Sequence, residues 1–218
     1  MDFGNQQAVF KNRTDAGKKL GKLLEQFKGS NIVIYALPRG GVVVAAEVAK
    51  MLNSPLDLII TRKIGHPSQP EYAIGAVAEN GHSIFNKEEV SNLDENYLTA
   101  EAERQKEEAK RRRRLYLGDR KPIQSAGETA ILVDDGIATG LTIKAAIREL
   151  KSHYYPKQII VAVPVAPAET AKDLKEEGAE FVAVNLEKNF LGAIGAYYQN
   201  FSPVEDKDVI RIMKEAES

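Results

Sequence analysis

Two adjacent carboxylates, Asp134 and Asp135, end an apolar run and are followed at once by glycine and threonine in ILVDDGIATGLT (Ile131–Thr142). Adjacent acids repel each other, and both repel phosphate. The arrangement makes sense for a ligand with hydroxyls at one end and phosphate at the other. Carboxylates accept hydrogen bonds from a vicinal diol. A short loop that turns into a helix offers free N–H groups and the positive end of the helix dipole to an anion. Thr139 and Thr142 add hydroxyl donors, and a ribose 5-phosphate has this polarity. The bland alternative is a strand end with an Asp cap and a glycine turn. Asp-Asp followed by Thr-Gly-x-Thr is more specific than a lone Gly-rich loop.

These residues need a scaffold, and the flanking pattern supplies one. Asn31–Leu37 (NIVIYAL), Thr129–Asp135 (TAILVDD), Lys157–Val165 (KQIIVAVPV) and Glu180–Leu186 (EFVAVNL) are near-continuous β-rich runs, and Leu56–Gly65 (LDLIITRKIG) reads as a further strand. Helical patterns at Leu141–Lys151 and Ala168–Glu177 separate the later runs, as in a parallel sheet buried on both faces. Thr14–Phe27 reads as an amphipathic helix with Gly29 ending it. Glu71–Asn86 reads as a hairpin turning at Asn80-Gly81. Asp94–Tyr116 reads as a long polar helix whose thin stripe of Leu98, Ala102 and Ala109 is too weak for a core helix.

Composition narrows the function classes. With 218 residues, 43% hydrophobic and 28% charged, the chain has the balance of an ordinary globular protein. The formal net charge of -1 gives no global field for nucleic acid. KRRRR (Lys110–Arg114) is the exception, but Glu101, Glu103, Glu107 and Glu108 share its helix at pairing distances. A solvated helix or an oligomer arm is therefore expected, not an RNA site. There are no cysteines, hence no disulfide, thiol nucleophile or thiolate metal site. No signal-type or membrane-length apolar run is visible, so a cytoplasmic location is expected.

At this point the sequence resembles the type I phosphoribosyltransferases. Their signature is an apolar strand, two acids, two variable residues and an [Ala/Thr]-Thr-Gly-x-Thr loop, and they bind 5-phosphoribosyl 1-diphosphate. The resemblance implies that Asp134 and Asp135 hold the ribose hydroxyls. It implies that Ala138, Thr139, Gly140, Leu141 and Thr142 hold the 5-phosphate, mostly by backbone amides. It further implies that the loop LPRGG (Leu37–Gly41) grips the diphosphate, often with a strained peptide bond exposing amides. Arg39 would be the planar cation there, and Gly40 and Gly41 would allow close backbone approach. Arg62 and Lys63 would neutralise the departing diphosphate, and Lys63 is counted with Asp134 and Asp135 among the catalytic groups.

Two segments remain. Gly65–Gly75 (GHPSQPEYAIG) is rich in turn formers and stands where this family often has a mobile loop. Gly65–Tyr72 is expected to close over the diphosphate and exclude water, with His66 as a minor candidate. Asn185–Phe201 (NLEKNFLGAIGAYYQNF) stands where purine-type members build a hood over the base, which makes Phe190 a substrate-contact candidate. Tyr197 occupies about the place of their acid, a departure that puts ordinary hypoxanthine or guanine salvage in doubt.

The expected architecture is α/β, type I phosphoribosyltransferase-like. It has a mostly parallel five-stranded sheet flanked by helices, a hairpin, a charged helical arm over 88–121 and a small hood over 186–204, all in one domain. The expected activity is transfer of ribose 5-phosphate from 5-phosphoribosyl 1-diphosphate to a purine- or pyrimidine-like acceptor. Mg²⁺ is implied by the diphosphate chemistry and would meet Asp134 and Asp135 through water. A homodimer is expected, without membrane or nucleic-acid partners. The competing readings are a non-catalytic sensor of the same ligand or a nucleotide, and a hydrolase or phosphorylase of activated sugar phosphates.

Overall fold

The apolar runs Ile32–Ala36, Thr129–Val133 and Gln158–Pro167 form the interior of a sheet because neither of their faces meets water. In the computed structural model, which describes residues 9–217, the first is strand β1 (Ile32–Ala36). Its even-numbered side chains Ile32 and Ile34 join one core with Val48 and Ile131, while Val33 and Tyr35 join another with Leu132 and Ile147. Residues 1–8, the start of the segment read above for a leader, and residue 218 lie outside the described residues.

Helix α1 (Arg13–Leu23) precedes β1, and α2 (Gly40–Leu52) follows it. Next come β2 (Leu56–Leu58) and an antiparallel set, β3 (Thr61–His66), β4 (Gln69–Ala78) and β5 (Ser83–Phe85). A short α3 (Lys87–Val90) leads into α4 (Glu95–Leu117). Then β6 (Thr129–Val133), α5 (Leu141–His153), β7 (Gln158–Pro167), α6 (Thr170–Glu176) and β8 (Glu180–Glu187) complete the alternation. The five-stranded sheet has the order β2-β1-β6-β7-β8, every pair parallel, with Ile34 opposite Ile131 and Ile131 opposite Ile160. Parallel order places the strand ends after β1 and β6 side by side, which is where such sheets bind ligands.

Four expectations need correction. Leu56–Gly65 is not one strand, because the chain changes sheets at Ile59-Ile60. The Ile59 N–H donates to Ala36 O of the parallel sheet, and Ile60 O accepts from the Glu79 N–H beyond β4. The supposed flexible loop at Gly65–Tyr72 is also regular. β3 and β4 pair through it, with His66 opposite Gln69 and only Pro67-Ser68 as the turn. A Cβ on Gly65 would come within 2.2 Å of Pro70 O, so glycine serves close strand approach here, not a hinge.

The charged helix is not a free-standing arm. Ala109 and Tyr116 of α4 reach the main core, and Leu98 and Ala102 pack on the small sheet with Ile74 and Val77. Arg113 is half-buried, against Asp57 at 3.3 Å and Glu79 at 3.1 Å. The glutamates do pair with the other cations, as in Lys110–Glu107 at 2.7 Å and Arg111–Glu108 at 2.7 Å. Finally, the sequence reading had no C-terminal helix, yet α7 (Asp206–Glu215) opens with a reciprocal capping box between Glu205 and Asp208. It buries Val209, Ile212 and Met213. Among the described residues no helix is long and apolar enough to cross a membrane.

Candidate active site

The acid pair sits directly after β6, beside the first turn of α2. The Asp135 carboxylate is buried and its Oδ2 lies 2.7 Å from Arg13 Nε. Arg13 also donates to Ser202 O at 2.8 Å, and its guanidinium lies 3.7 Å from the centroid of the Phe201 ring. The Tyr198 hydroxyl donates to Asp135 O at 2.6 Å. Asp134 Oδ1 accepts the Asp135 N–H at 2.8 Å. Burial pushes both carboxyls above their usual range; the charge of Asp135 adds to the shift of Asp134, whereas Arg13 opposes that of Asp135. Of the two, Asp134 is the acid with no cation bound to it among the described residues.

This packing explains the glycines of LPRGG. A Cβ on Gly40 would lie 1.9 Å from Asp135 Oδ2, and one on Gly41 would lie 2.9 Å from Asp134 Oδ1. No side chain fits between the helix start and the acids. The Pro38–Arg39 peptide is cis. Arg39 extends from this loop toward α7, with Nη1 at 3.5 Å from Asp206 Oδ1.

On the other side of the acids, the chain turns into α5 at Gly140, whose φ of 73° is the left-handed conformation that glycine adopts freely. The Ile137 N–H donates to Val165 O at 2.9 Å, which anchors the loop to the neighbouring strand. Ala138 and Thr139 are exposed. The loop and the acids form one wall of a cavity of about 690 Å³.

The opposite wall is cationic. Arg62 and Lys63 reach it from β3, and Arg104 and Arg112 reach it from α4. Burial, and then the nearby Arg112, hold the Arg62 guanidinium below its usual pKa. Its Nε donates to Gln105 Oε1 at 3.1 Å, a neutral partner. Arg104 and Arg112 are each tied to a glutamate, Glu101 at 2.6 Å and Glu108 at 2.9 Å. Lys63 is exposed and makes no ion pair among the described residues. Part of this charge is therefore free to meet an anion.

Most of the candidates meet here: Arg39, Gly40, Arg62, Lys63, Asp134 and Asp135, together with Ala138, Thr139, Gly140 and Thr142, all line the cavity. Leu141, Phe190 and His66 do not line it. Phe190 stacks on Tyr197 with ring centroids 5.5 Å apart, because both rings are needed to close the small aromatic core under the C-terminal segment. Ile194 from the same segment lines the cavity instead. The His66 ring caps its own turn, with Nδ1 accepting the Ser68 N–H at 3.2 Å.

Sequence reasoning missed Arg13 altogether, and it missed Tyr97, Glu101, Arg104, Gln105 and Arg112 as wall residues. Arg13 has no local signal. The others had one, since Tyr97, Glu101, Gln105 and Arg112 recur at helical spacing beside the apolar stripe of Leu98, Ala102 and Ala109.

Comparison with known proteins agrees with this geometry. The model of the phosphoribosyl transferase domain matches residues 5–199. A Mycobacterium tuberculosis protein (strain H37Rv), provisionally named a phosphoribosyl transferase, is 38% identical over 210 residues, 95% of this chain and 47% of that protein. The chain thus spans about half the length of this relative. The bifunctional protein PyrR of Brevibacillus brevis is 29% identical over 161 residues, covering 69% of this chain and 86% of that protein. The crystal structure of TT1426 from Thermus thermophilus superposes with a TM-score of 0.78 at 40% identity, covering 94% of this chain and 98% of that one. With the acid pair, the Thr-Gly-x-Thr turn and the parallel sheet all inside the matched residues, the chain belongs to the phosphoribosyl transferase domain family.

Proposed function

We propose that the protein binds 5-phosphoribosyl 1-diphosphate and transfers its ribose 5-phosphate to a nitrogenous base, purine- or pyrimidine-like, releasing diphosphate. One observation carries the reading. A single cavity sets acids and an amide-rich helix start against a wall of arginine and lysine that its own carboxylates only partly neutralise. A diol, a monophosphate and a diphosphate on one small sugar match these surfaces in turn.

In this reading the first turn of α5 takes the 5-phosphate on its free N–H groups, with Thr139 and Thr142 donating hydroxyls. Asp134 accepts from the ribose hydroxyls. Asp135, already paired with Arg13, fixes the floor on which Asp134 rests and contributes less to the sugar. Arg39, Arg62 and Lys63 draw charge from the diphosphate as the C1–O bond breaks and the C1–N bond forms. The acceptor must also lose a proton. Asp134, whose carboxyl holds a proton more readily than an ordinary aspartate, is the nearer base to the sugar.

Magnesium fits this set in a limited way. Hard oxygen donors suit it, and it is usually bound through one or two carboxylates plus phosphate oxygens while keeping several waters. The Asp135–Arg13 pair makes Asp135 a poor ligand, so Asp134 would meet the ion through water and the diphosphate would hold most of it. When bound, the ion lowers the charge that the leaving group carries away.

A second reading, a sensor that binds the same sugar without turnover, is favoured by the hood. Phe190 and Tyr197 pack on each other and leave no aromatic face from that pair toward the cavity. Diphosphate release from 5-phosphoribosyl 1-diphosphate and Mg²⁺, measured across a panel of bases with a no-base control, separates the two. Base-dependent release supports transfer. Tight binding with no release under any base supports the sensor, and release without base supports a hydrolase.

A further inference from the structure

At the far end of α5 from the phosphate-type loop, three metal-competent side chains converge on the hairpin. Glu149 and His153 are four residues apart in the last turns of α5, so they share a helix face. His82, from the turn between β4 and β5, meets them there. The His82 and His153 rings lie edge to face with centroids 5.0 Å apart, and His153 Nδ1 is 3.4 Å from Glu149 Oε1. One ligand atom from each of the three lies within 4.8 Å of the other two.

The carboxylate is the informative member. Glu149 is fully buried, and its Oε2 has no hydrogen-bond partner among the described residues. Its Oε1 accepts from Asn80 Nδ2. A buried carboxylate oxygen with no donor is costly unless something positive sits against it. Arg113, which is half-buried, is engaged by Asp57 and Glu79 and makes no ion pair with Glu149 among the described residues.

We propose that His82, Glu149 and His153 bind one divalent transition-metal ion of the zinc class. None of the three lines the cavity described above. Two imidazole nitrogens and one carboxylate oxygen suit zinc or cobalt and are a poor set for magnesium, which prefers oxygen throughout. Bonds of about 2.0 Å in tetrahedral array put ligand atoms about 3.3 Å apart. The set therefore closes by about an ångström onto the ion. His82 is half-buried and His153 exposed, so both rings have room to make that movement. Asn80 orients the carboxylate from outside, as hydrogen-bonded neighbours of metal ligands commonly do. Water takes the fourth position.

The ion would clasp the β4–β5 turn to α5. The first turn of α5 follows the phosphate-type loop, and β4 pairs with β3, which carries Arg62 and Lys63. A clasp here braces the two walls of the cavity without touching its ligand.

The test uses tag-free, chelator-stripped protein titrated with Zn²⁺ by calorimetry and with Co²⁺ by visible absorption. The expected result is one equivalent bound, with the Co²⁺ bands of a four-coordinate site and a higher Tm. His82→Ala, His153→Ala and Glu149→Gln should each weaken Zn²⁺ binding at least about tenfold, while Asp134→Asn leaves it intact. Glu149→Gln also guards against a folding artefact. It keeps an acceptor for Asn80 and removes the buried charge, so its metal-free Tm should equal or exceed that of the wild type. Binding unchanged in both histidine variants, binding lost in Asp134→Asn, or no Zn²⁺ uptake at stoichiometric concentration would each overturn the proposal.

Discussion

Arg13 and Asp135 are 122 residues apart in the chain and meet at 2.7 Å, each nearly buried. This contact ties the N-terminal helix to the acid pair and decides which of the two aspartates is left for a ligand. Removing one partner of a buried pair leaves an uncompensated charge, which costs about 3–5 kcal/mol. Arg13→Met should therefore lower unfolding stability by about that amount in urea titrations. Arg13→Met with Asp135→Asn should recover much of it. A single variant as stable as the wild type would show the pair to be dispensable.

Gly40→Ala should be far more damaging than an ordinary glycine substitution. Its Cβ would come within 1.9 Å of Asp135 Oδ2 and 2.9 Å of Arg13 Nε, so the ion pair must part or α2 must move. Overpacking of this kind costs about 1–3 kcal/mol. We expect a lower Tm together with at least tenfold weaker binding of 5-phosphoribosyl 1-diphosphate by calorimetry. Gly29→Ala, which strains a positive φ of 80° but lies outside the cavity, serves as the control for affinity. Equal affinity in both variants would contradict the packing argument.

Arg62→Gln and Lys63→Ala should separate the two ends of the ligand. Charge-assisted hydrogen bonds are worth about 1.5–3 kcal/mol, so losses on the order of tenfold to a hundredfold are expected for the diphosphate compound. Ribose 5-phosphate, held by the loop ending at Thr142, should lose little. Parallel losses for both ligands would place the cations elsewhere in the binding mode.

Glu79 gives a pH signature. Its buried carboxyl is pushed up to about 7 by burial, against the opposing pull of Arg113. A raised carboxyl means that the folded state binds more protons than the unfolded state, so stability falls as pH rises from about 4.5 toward 7. A shift of this size corresponds to on the order of 3 kcal/mol at most. Glu79→Gln should remove that component. Denaturant unfolding from pH 4.5 to 8 with chelator present checks it, and matching slopes for variant and wild type would sink the assignment.

Much of the architecture was legible because its signals are local. A β-rich run with no polar face can only be buried on both sides, so β1, β6 and β7 announced a parallel sheet, and the similar run of β8 became its half-exposed edge. Asp134, Asp135 and the turn through Gly140 lie within one short segment, and their chemistry could be read without knowing what they face. The tertiary structure decided what local pattern cannot carry. The break at Ile59-Ile60 depends on hydrogen bonds to two different sheets. Gly65–Tyr72 became a hairpin because the antiparallel pairing of β3 and β4 continues through it and leaves only Pro67-Ser68 as the turn. The charged helix became a cavity wall because its thin apolar stripe found two separate cores to pack on. Phe190 turned inward because Tyr197 offered it a ring to cover. Arg13 reached Asp135, and His82 reached Glu149, only because folding brought distant segments together. A side chain's choice of charged partner across such separations leaves no periodicity in the chain that could reveal it.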